Sequence, residues 1–243
     1  METSYLVFDI ETVGLPFDAF DEKQQDYLLR RAESDEERAQ KIAELALSPV
    51  TGQIVCIGML SVKGGGSERK EVAYMVDAAM ADDDDVRKDD LPSGATCYYS
   101  SERTMLENFW KLLAAYRDTH LISFNGRGFD APWLMLRSAI LGIRPSRNLM
   151  EGTKFNYRSH TDLADELTFY TRSFSGATRL FNFDMYAKAF GITSPKEEGV
   201  DGSMVGDLFA KGALVDIAEY CLRDVRSTWE LYQKWDAYLG SGR

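Results

Sequence analysis

Short apolar runs alternate with longer amphipathic stretches along this chain, and this order constrains its fold more than any other feature. Residues 4–10 form an apolar run of strand length, and two further strand-like runs follow at 52–63 and 70–77. Three glycines at 64–66 lie between the second and third runs and predict a hairpin turn there. The complete order of β-β-β-α-β-α-β-α predicts one α/β domain that spans residues 1–243.

The remaining segments are assigned from their periodicity and capping residues. Apolar residues at helical spacing within the highly charged stretch 20–47 predict an insertion of one or two exposed helices. The acidic stretch 80–95, which includes the run from Asp82 to Asp85, predicts a solvated loop. Ser101 is a suitable N-cap for the helix after it. The other predicted elements are strands at about 120–124 and 158–162 and helices at about 102–116, 131–141, 180–190, 204–210 and 214–238.

The charge balance excludes one mode of nucleic-acid binding. The 243 residues include 28 Lys and Arg against 39 Asp and Glu, a net charge of -11, so bulk positive charge cannot attract a polyanion. A local strip of basic residues could follow a phosphate backbone or be ordinary surface charge. The strip consists of Arg137, Arg144, Arg147, Lys154 and Arg158.

Targeting and redox signals predict a cytoplasmic protein without a membrane partner. The N-terminus has neither a basic region nor a long apolar region of a signal peptide, and no run has the length of a membrane span. The three cysteines are widely spaced and contain no CxxC, which favours reduced thiols over a zinc site.

Two carboxylates mark the end of the first apolar run. Asp9 and Glu11 are two residues apart, so on a strand their side chains point to the same face, and Thr12 to Gly14 then predict a turn. Ionised groups at this position need a partner or a cation. An exposed strand end is the alternative interpretation of this pair taken alone.

Two further acidic positions lie on other predicted elements. Asp130 stands where a helix begins after a glycine-containing loop, so it is either an N-cap or a third carboxylate beside the first strand. Tyr220 and Asp224 are four residues apart in the C-terminal helix and therefore share one face of it. His160 and Asp162 could belong to a helix entry or support the site.

Taken together, these positions predict a metal-dependent site. Four carboxylates on three elements (Asp9, Glu11, Asp130 and Asp224) suit two divalent cations held roughly 3.5–4 Å apart for phosphoryl displacement. Oxygen ligands favour Mg²⁺ or Mn²⁺ over zinc.

The spacing of these residues resembles the motifs of the DEDD 3′–5′ exonucleases. Asp9-Ile10-Glu11-Thr12 resembles the first motif, Asn125-x-x-x-Phe129-Asp130 the second, and Tyr220-x-x-x-Asp224 the third motif of the tyrosine subclass. The chain is most similar to the predicted, stand-alone PolB-like exonucleases, over residues 5 to about 233. This resemblance implies a ribonuclease H-like fold, with a five-stranded mixed sheet whose second strand is antiparallel, flanked by helices.

The resemblance also implies roles for individual residues. Asp9, Glu11, Asp130 and Asp224 would hold two cations, and Tyr220 would orient or help deprotonate the attacking water. The terminal nucleotide would be lined by Thr12, Val13, Gly14 and Leu15. Asn125 and Phe129 would hold the penultimate sugar and base.

The function that follows is removal of nucleoside monophosphates from single-stranded or frayed 3′ ends, with DNA favoured over RNA. Two alternatives remain at this stage: a 3′–5′ exoribonuclease or oligoribonuclease of the same fold, and a non-catalytic nucleic-acid-binding module. Processivity, oligomeric state, protein partners and biological pathway are not encoded in any feature described above.

Overall fold

The computed structural model describes residues 4–63, 66–80, 85–116, 118–193, 199 and 201–240. A mixed sheet of seven strands forms the centre, in the order β4-β5-β3-β2-β1-β6-β7. The strands are β1 (Tyr5–Gly14), β2 (Gly52–Lys63), β3 (Glu68–Val76), β4 (Arg87–Asp90), β5 (Thr96–Ser100), β6 (His120–Ser123) and β7 (His160–Asp162). The predicted α/β class and the antiparallel second strand are confirmed, since β2 runs antiparallel to both β1 and β3.

Helices flank this sheet. They are α1 (Glu22–Leu29), α2 (Asp35–Ala43), α3 (Glu102–Ala115), α4 (Asp130–Ile140), α5 (Leu163–Leu167), α6 (Phe183–Ala189), α7 (Val205–Ala210) and α8 (Leu214–Tyr238). The Ser101 hydroxyl accepts a hydrogen bond from the Thr104 amide, so the predicted N-cap of α3 is confirmed. Among the helices described, none is long and apolar enough to cross a membrane.

The sheet has seven strands and not the predicted five, because β4 lies within the acidic stretch and β5 directly follows it. β4 pairs antiparallel with β5, and β5 adds to β3 in parallel. All four residues of β4 are exposed, so this edge strand has no hydrophobic alternation by which it could be recognised. The prediction of a solvated loop over 80–95 was therefore wrong at β4, and residues 81–84 lie outside the described part of the chain.

The first strand is longer than predicted. β1 continues through Thr12 and Val13 to Gly14 and remains paired with β2, with a shift of register between Glu11 and Thr12. The predicted turn at 12–14 was wrong because a β-bulge keeps the strand extended. Asp9 and Glu11 consequently lie within β1, not at its end.

Two apolar clusters cover the two faces of the sheet. Leu6 and Phe8 pack in one cluster with side chains of α3 and α4, whereas Val7 packs in the other with the C-terminal half of α8. Consecutive residues of a strand point to opposite faces, so a strand that is covered on both sides reads as a continuous apolar run.

The charged insertion forms α1 and α2, as the helical spacing predicted. Neither helix contains a buried residue, and the segment is anchored by the buried Leu45 in the 3₁₀ turn at Glu44–Leu47. Thr12 donates its hydroxyl to the Ala46 carbonyl at 2.7 Å, so the insertion covers the end of β1.

An ion pair is buried between α3 and α4. The Glu102 carboxylate accepts from Arg137 Nε at 3.0 Å and Nη2 at 2.6 Å, and also from the Ile54 amide of β2 at 2.9 Å. Arg137 is only 6% exposed, so it cannot take part in a basic surface strip. Arg147 donates to the carbonyls of Thr119 and Ser159, so it too has a structural role.

Candidate active site at a carboxylate cluster

The five residues predicted from the three motifs meet at one place. A cavity of about 140 Å³ is lined by Asp9 of β1 and by Tyr220 and Asp224 of α8. Asp130 and Glu11 lie close enough to these carboxylates for their charges to raise the pKa of Asp9. The tertiary fold therefore brings together four carboxylates and a phenol that are distant in sequence.

Asp130 occupies its place because β6 ends before β1 does. β6 is paired with β1 only from Tyr5 to Val7, so the Ile10 amide lies beyond the last paired residue. Asp130 Oδ1 accepts a hydrogen bond from this amide at 3.0 Å. Asp130 is the first residue of α4 and its N-cap is Phe129, so the alternative interpretation of Asp130 as an N-cap is wrong.

A glycine allows α8 to approach the sheet closely at the cluster. Gly58 of β2 is opposite Asp9 in the register. A Cβ at Gly58 would lie 2.8 Å from Cys221 Sγ and 3.2 Å from the Cys221 backbone. Because Cys221 lies between Tyr220 and Asp224 on α8, this close approach brings both side chains toward Asp9.

The electrostatics of the cluster favour a bound cation. Burial raises the pKa of Asp9 and of Glu11 well above their usual values, and repulsion from the neighbouring carboxylates adds to this effect. Burial likewise raises the pKa of Asp130 to about 7, against the effect of its backbone hydrogen bonds. A cation would remove the repulsion and favour the ionised form of each group.

A thiol lies beside the carboxylates. Ligand atoms of Asp9, Glu11 and Cys221 lie within 4.8 Å of one another, and Cys221 Sγ is 3.7 Å from Asp9 Oδ2. Burial is the main cause that raises the pKa of Cys221 well above its usual value, and the charges of Asp9 and Glu11 add to this effect. The candidate metal ligands of the cluster are therefore carboxylate oxygens with one sulfur beside them.

Tyr220 keeps its proton at neutral pH. Burial is the main cause that raises the pKa of Tyr220 far above its usual value, followed by the charges of Asp224, Glu11 and Asp9. A hydrogen bond to the Asp224 carboxylate acts in the same direction. The phenol is therefore a hydrogen-bond donor in this cluster.

Asp162 and Arg172 hold the loop that contains Asn125. The Asn125 backbone has a positive φ of 60°, and its amide donates to Asp162 Oδ1 at 2.8 Å. Arg172 Nη1 donates to Asn125 Oδ1 at 2.6 Å and pairs with Asp165 through Nε. Phe129, the other predicted contact for the penultimate nucleotide, packs with its ring 5.8 Å from Trp133. Their contact with nucleic acid stays a prediction.

The interpretation of Asp162 as part of a helix entry is confirmed, and the same side chain also contacts the loop before α4. Its Oδ1 caps α5 by accepting from the Ala164 amide at 3.0 Å, while its Oδ2 accepts from the Arg127 amide at 2.9 Å. Arg172, which no motif indicated, completes this network at 3.3 Å from Asp162 Oδ2. The loop before α4 is thereby fixed from β7.

His160 is buried and neutral, which predicts an acid-sensitive stability. Burial is the main cause that lowers its pKa to about 3, and nearby Arg127, His120 and Arg147 add to this. Below about pH 6.5 the unfolded chain binds a proton at His160 that the folded protein does not. The free energy of unfolding therefore decreases as the pH is lowered from about 6.5 to about 3, by at most about 1.4 kcal/mol per pH unit.

Urea unfolding of wild type and His160→Gln at pH 7, 6 and 5 measures this contribution. The carboxylates titrate in both proteins, so the difference between the two isolates His160. We expect wild type to lose more stability than the variant on acidification. Equal losses would show that His160 does not carry this pH dependence.

The residues predicted to line the terminal nucleotide lie farther along β1. Val13 is buried and packs in the first apolar cluster. The Leu15 amide donates to the Thr51 carbonyl at 2.9 Å. Gly14 is packed close to Leu45. A substrate role for this segment stays a prediction.

Four residues at the cavity were not singled out from the sequence. They are Phe124, Phe183, Asp184 and Thr228. Phe183 and Asp184 lie at the start of α6. The sequence predicted this helix but did not predict its position at the cavity. The one local signal was Phe124, which directly precedes the motif residue Asn125.

A family of known proteins matches most of the chain. The family described as predicted 3′-5′ exonucleases related to the exonuclease domain of PolB matches residues 69–241. This range contains Asp130, Tyr220 and Asp224, whereas Asp9 and Glu11 precede it. No curated protein matches the chain.

A solved structure has a similar fold. The family B DNA polymerase from the hyperthermophilic archaeon Pyrobaculum calidifontis superposes with a TM-score of 0.57 at 18% identity over 96% of this chain. The match spans 24% of the polymerase, so the chain corresponds to about a quarter of its length.

Proposed function

Because the chain belongs to the predicted 3′-5′ exonucleases related to the exonuclease domain of PolB, we propose that it removes nucleoside monophosphates from the 3′ end of single-stranded DNA. The observation that carries the proposal is the meeting of four carboxylates and a phenol: Asp9, Asp224 and Tyr220 line one small cavity, and Glu11 and Asp130 lie close to Asp9. We include all residues from 1 to 243 in this exonuclease unit.

The carboxylates are suited to hold two divalent cations. Asp130 Oδ1 accepts a hydrogen bond from the Ile10 amide, which leaves Oδ2 available as a ligand. When two such ions are bound, they activate the attacking water and stabilise the leaving 3′ oxygen. The protein supplies the rigid positions of the ligands, since they come from a central strand and two packed helices.

Tyr220 orients the attacking water in this proposal. Its hydroxyl donates to the Asp224 carboxylate, which leaves the phenol oxygen to accept a hydrogen bond from the water. Its hydrogen bond to Asp224 fixes the direction of the hydroxyl. Of the two roles that the resemblance implied, we propose the orienting one, because the hydrogen bond to Asp224 holds the hydroxyl beside the cluster.

Tyr220→Phe should therefore slow cleavage about 10²–10⁴-fold while leaving metal affinity nearly unchanged. The ring remains to fill the same volume, and only the hydroxyl is lost. Single-turnover cleavage measures the rate, and Mn²⁺ titration by calorimetry measures the metal affinity. A variant that cleaves at the wild-type rate would remove Tyr220 from the mechanism.

A single-stranded end is the substrate that the site accepts most readily. The net charge of -11 gives little long-range attraction for a polyanion, so binding depends on local contacts and cations. The cavity is small, and a paired terminus would have to unwind before one nucleotide could enter. Blunt duplex DNA should accordingly be cleaved more slowly than the single strand.

One assay tests the proposed function. Single-stranded DNA, single-stranded RNA of the same sequence and blunt duplex DNA, each labelled at the 5′ end, are incubated with Mg²⁺, Mn²⁺ or a chelator. We expect a ladder that shortens from the 3′ end, fastest on single-stranded DNA and absent with chelator. Faster RNA cleavage would assign an exoribonuclease, and binding without cleavage of any substrate would assign a non-catalytic module.

A further inference from the structure

An aromatic pair forms one wall of the cavity that contains the carboxylates. The rings of Phe124 and Phe183 are 5.1 Å apart and meet at 83°, an edge-to-face arrangement. Phe124 follows the end of β6, and Phe183 begins α6, so the pair forms only through the tertiary fold. Both rings line the same cavity as Asp9 and Asp224.

The pair is supported from behind and open in front. Phe124 and Phe183 pack against the second apolar cluster, which contains Val7 and Ile122. Tyr186 of α6 also supports Phe124, with ring centroids 5.6 Å apart. Both phenylalanines are nevertheless only partly buried. Rings that are held in place and partly exposed can receive a planar ligand at little entropic cost.

The size and lining of the cavity indicate what it can receive. At about 140 Å³ it is smaller than the roughly 300 Å³ at which pockets begin to enclose a whole small molecule. It therefore suits part of a larger ligand, such as one base. Among the described residues that line it, none is basic, so a further phosphate beyond that base would find no basic side chain to pair with. These residues are Asp9, Phe124, Phe183, Asp184, Tyr220, Asp224 and Thr228.

We propose that Phe124 and Phe183 form the stacking surface for the base of the 3′-terminal nucleotide. This inference rests on the proposed exonuclease function. Every base has a π-face, so stacking on aromatic rings tolerates any base and suits an enzyme that shortens a strand regardless of sequence. Asp9 and Asp224 line the same cavity, so a base on this wall would bring its adjoining phosphate toward them.

Phe183→Leu tests the contribution of the ring. Leucine keeps the apolar contact with the second cluster but removes the aromatic face. We expect KM for single-stranded DNA to rise between about fivefold and a hundredfold, the range of base–aromatic stacking, with kcat changed less. Phe124→Leu should act in the same direction. Phe190→Leu is the matched control, because Phe190, the C-cap residue of α6, packs against the same cluster but does not line the cavity.

Substrates that lack one base separate stacking from a structural defect. If the terminal base is the partner, a 3′-terminal abasic site should raise KM for wild type and abolish the difference between wild type and Phe183→Leu. An abasic site at the penultimate position should leave that difference intact. The same rise in KM for all substrates, or loss of the difference only with the penultimate abasic site, would overturn the assignment.

Fluorescence gives a readout that does not require cleavage. In the Asp224→Asn background, an oligonucleotide with 2-aminopurine at its 3′ end should be quenched on binding, and Phe183→Leu should reduce the quenching. Unchanged quenching would contradict the proposal. A wild-type protein that cleaves neither DNA nor RNA would overturn the proposed function and this inference together, a result recognisable without any Phe183 variant.

Discussion

Asp224→Asn is expected to reduce cleavage of single-stranded DNA by about a thousandfold or more. Loss of one carboxylate from a two-cation site removes several kcal/mol of charge stabilisation in the transition state, and each 1.36 kcal/mol corresponds to a factor of ten in rate. The substitution preserves the size of the side chain. Single-turnover cleavage in saturating Mg²⁺ measures the loss, and Asp9→Asn should behave in the same way.

Asp216→Asn is the matched control for this prediction. It makes the same chemical change on the same helix, at an exposed position in the first turn of α8. Cleavage by this variant should be close to wild type. An Asp224→Asn protein that retains the wild-type rate would show that the cluster does not hold the catalytic cations.

The same variant makes a second, opposite prediction about stability. The repulsion that raises the pKa values of Asp9, Glu11 and Asp130 includes the charge of Asp224. Asparagine removes that charge, so in the presence of chelator the variant should unfold at a temperature no lower than wild type. Lost activity with retained stability distinguishes a functional carboxylate from one that the fold needs.

Glu102→Ala is expected to lower the free energy of unfolding by about 3–5 kcal/mol, the cost of leaving one partner of a buried ion pair alone. The substitution leaves the Arg137 guanidinium without its carboxylate between α3 and α4, and it also removes the acceptor of the Ile54 amide. Urea denaturation measures this change. Asp130 begins α4, about two turns before Arg137, and the other catalytic carboxylates lie on β1 and α8, so the metal affinity of the fraction that remains folded should be retained.

A surface ion pair provides the comparison. Lys41 and Glu44 are 2.6 Å apart, but their side chains are 40% and 38% exposed. Lys41→Met should cost less than about 1 kcal/mol. If Glu102→Ala costs no more than Lys41→Met, the buried pair does not stabilise the packing of α3 on α4.

Local sequence was sufficient to identify the elements whose signals are strong. The apolar spacing in the C-terminal helix predicted 214–238, and the structure has α8 at Leu214–Tyr238. The placement of Asp9 and Glu11 on one face of a strand likewise follows from backbone geometry alone. These features depend on neighbours within a few residues, so tertiary context was not needed to recognise them.

Weak or ambiguous local signals led to the errors. β4 is exposed at every position, and it is a strand because β5 supplies its hydrogen-bonding partner. Residues 12–14 include a glycine and looked like a turn, but pairing with β2 and one bulge keep them in β1. Strand identity depends on a partner that can be distant in sequence, and no single segment encodes that partner.

The sequence by itself determined the chemical identity of the site: which carboxylates and which phenol are available, and that they lie on a strand and two helices. Only the tertiary structure decided how these groups are placed. The close approach of Cys221 to Gly58 brings α8 to the sheet, the early end of β6 leaves the Ile10 amide for Asp130, and α6 brings Phe183 against Phe124. Each of these contacts depends on packing between segments far apart in the chain, where the fit of whole surfaces and not the preference of any residue decides the outcome.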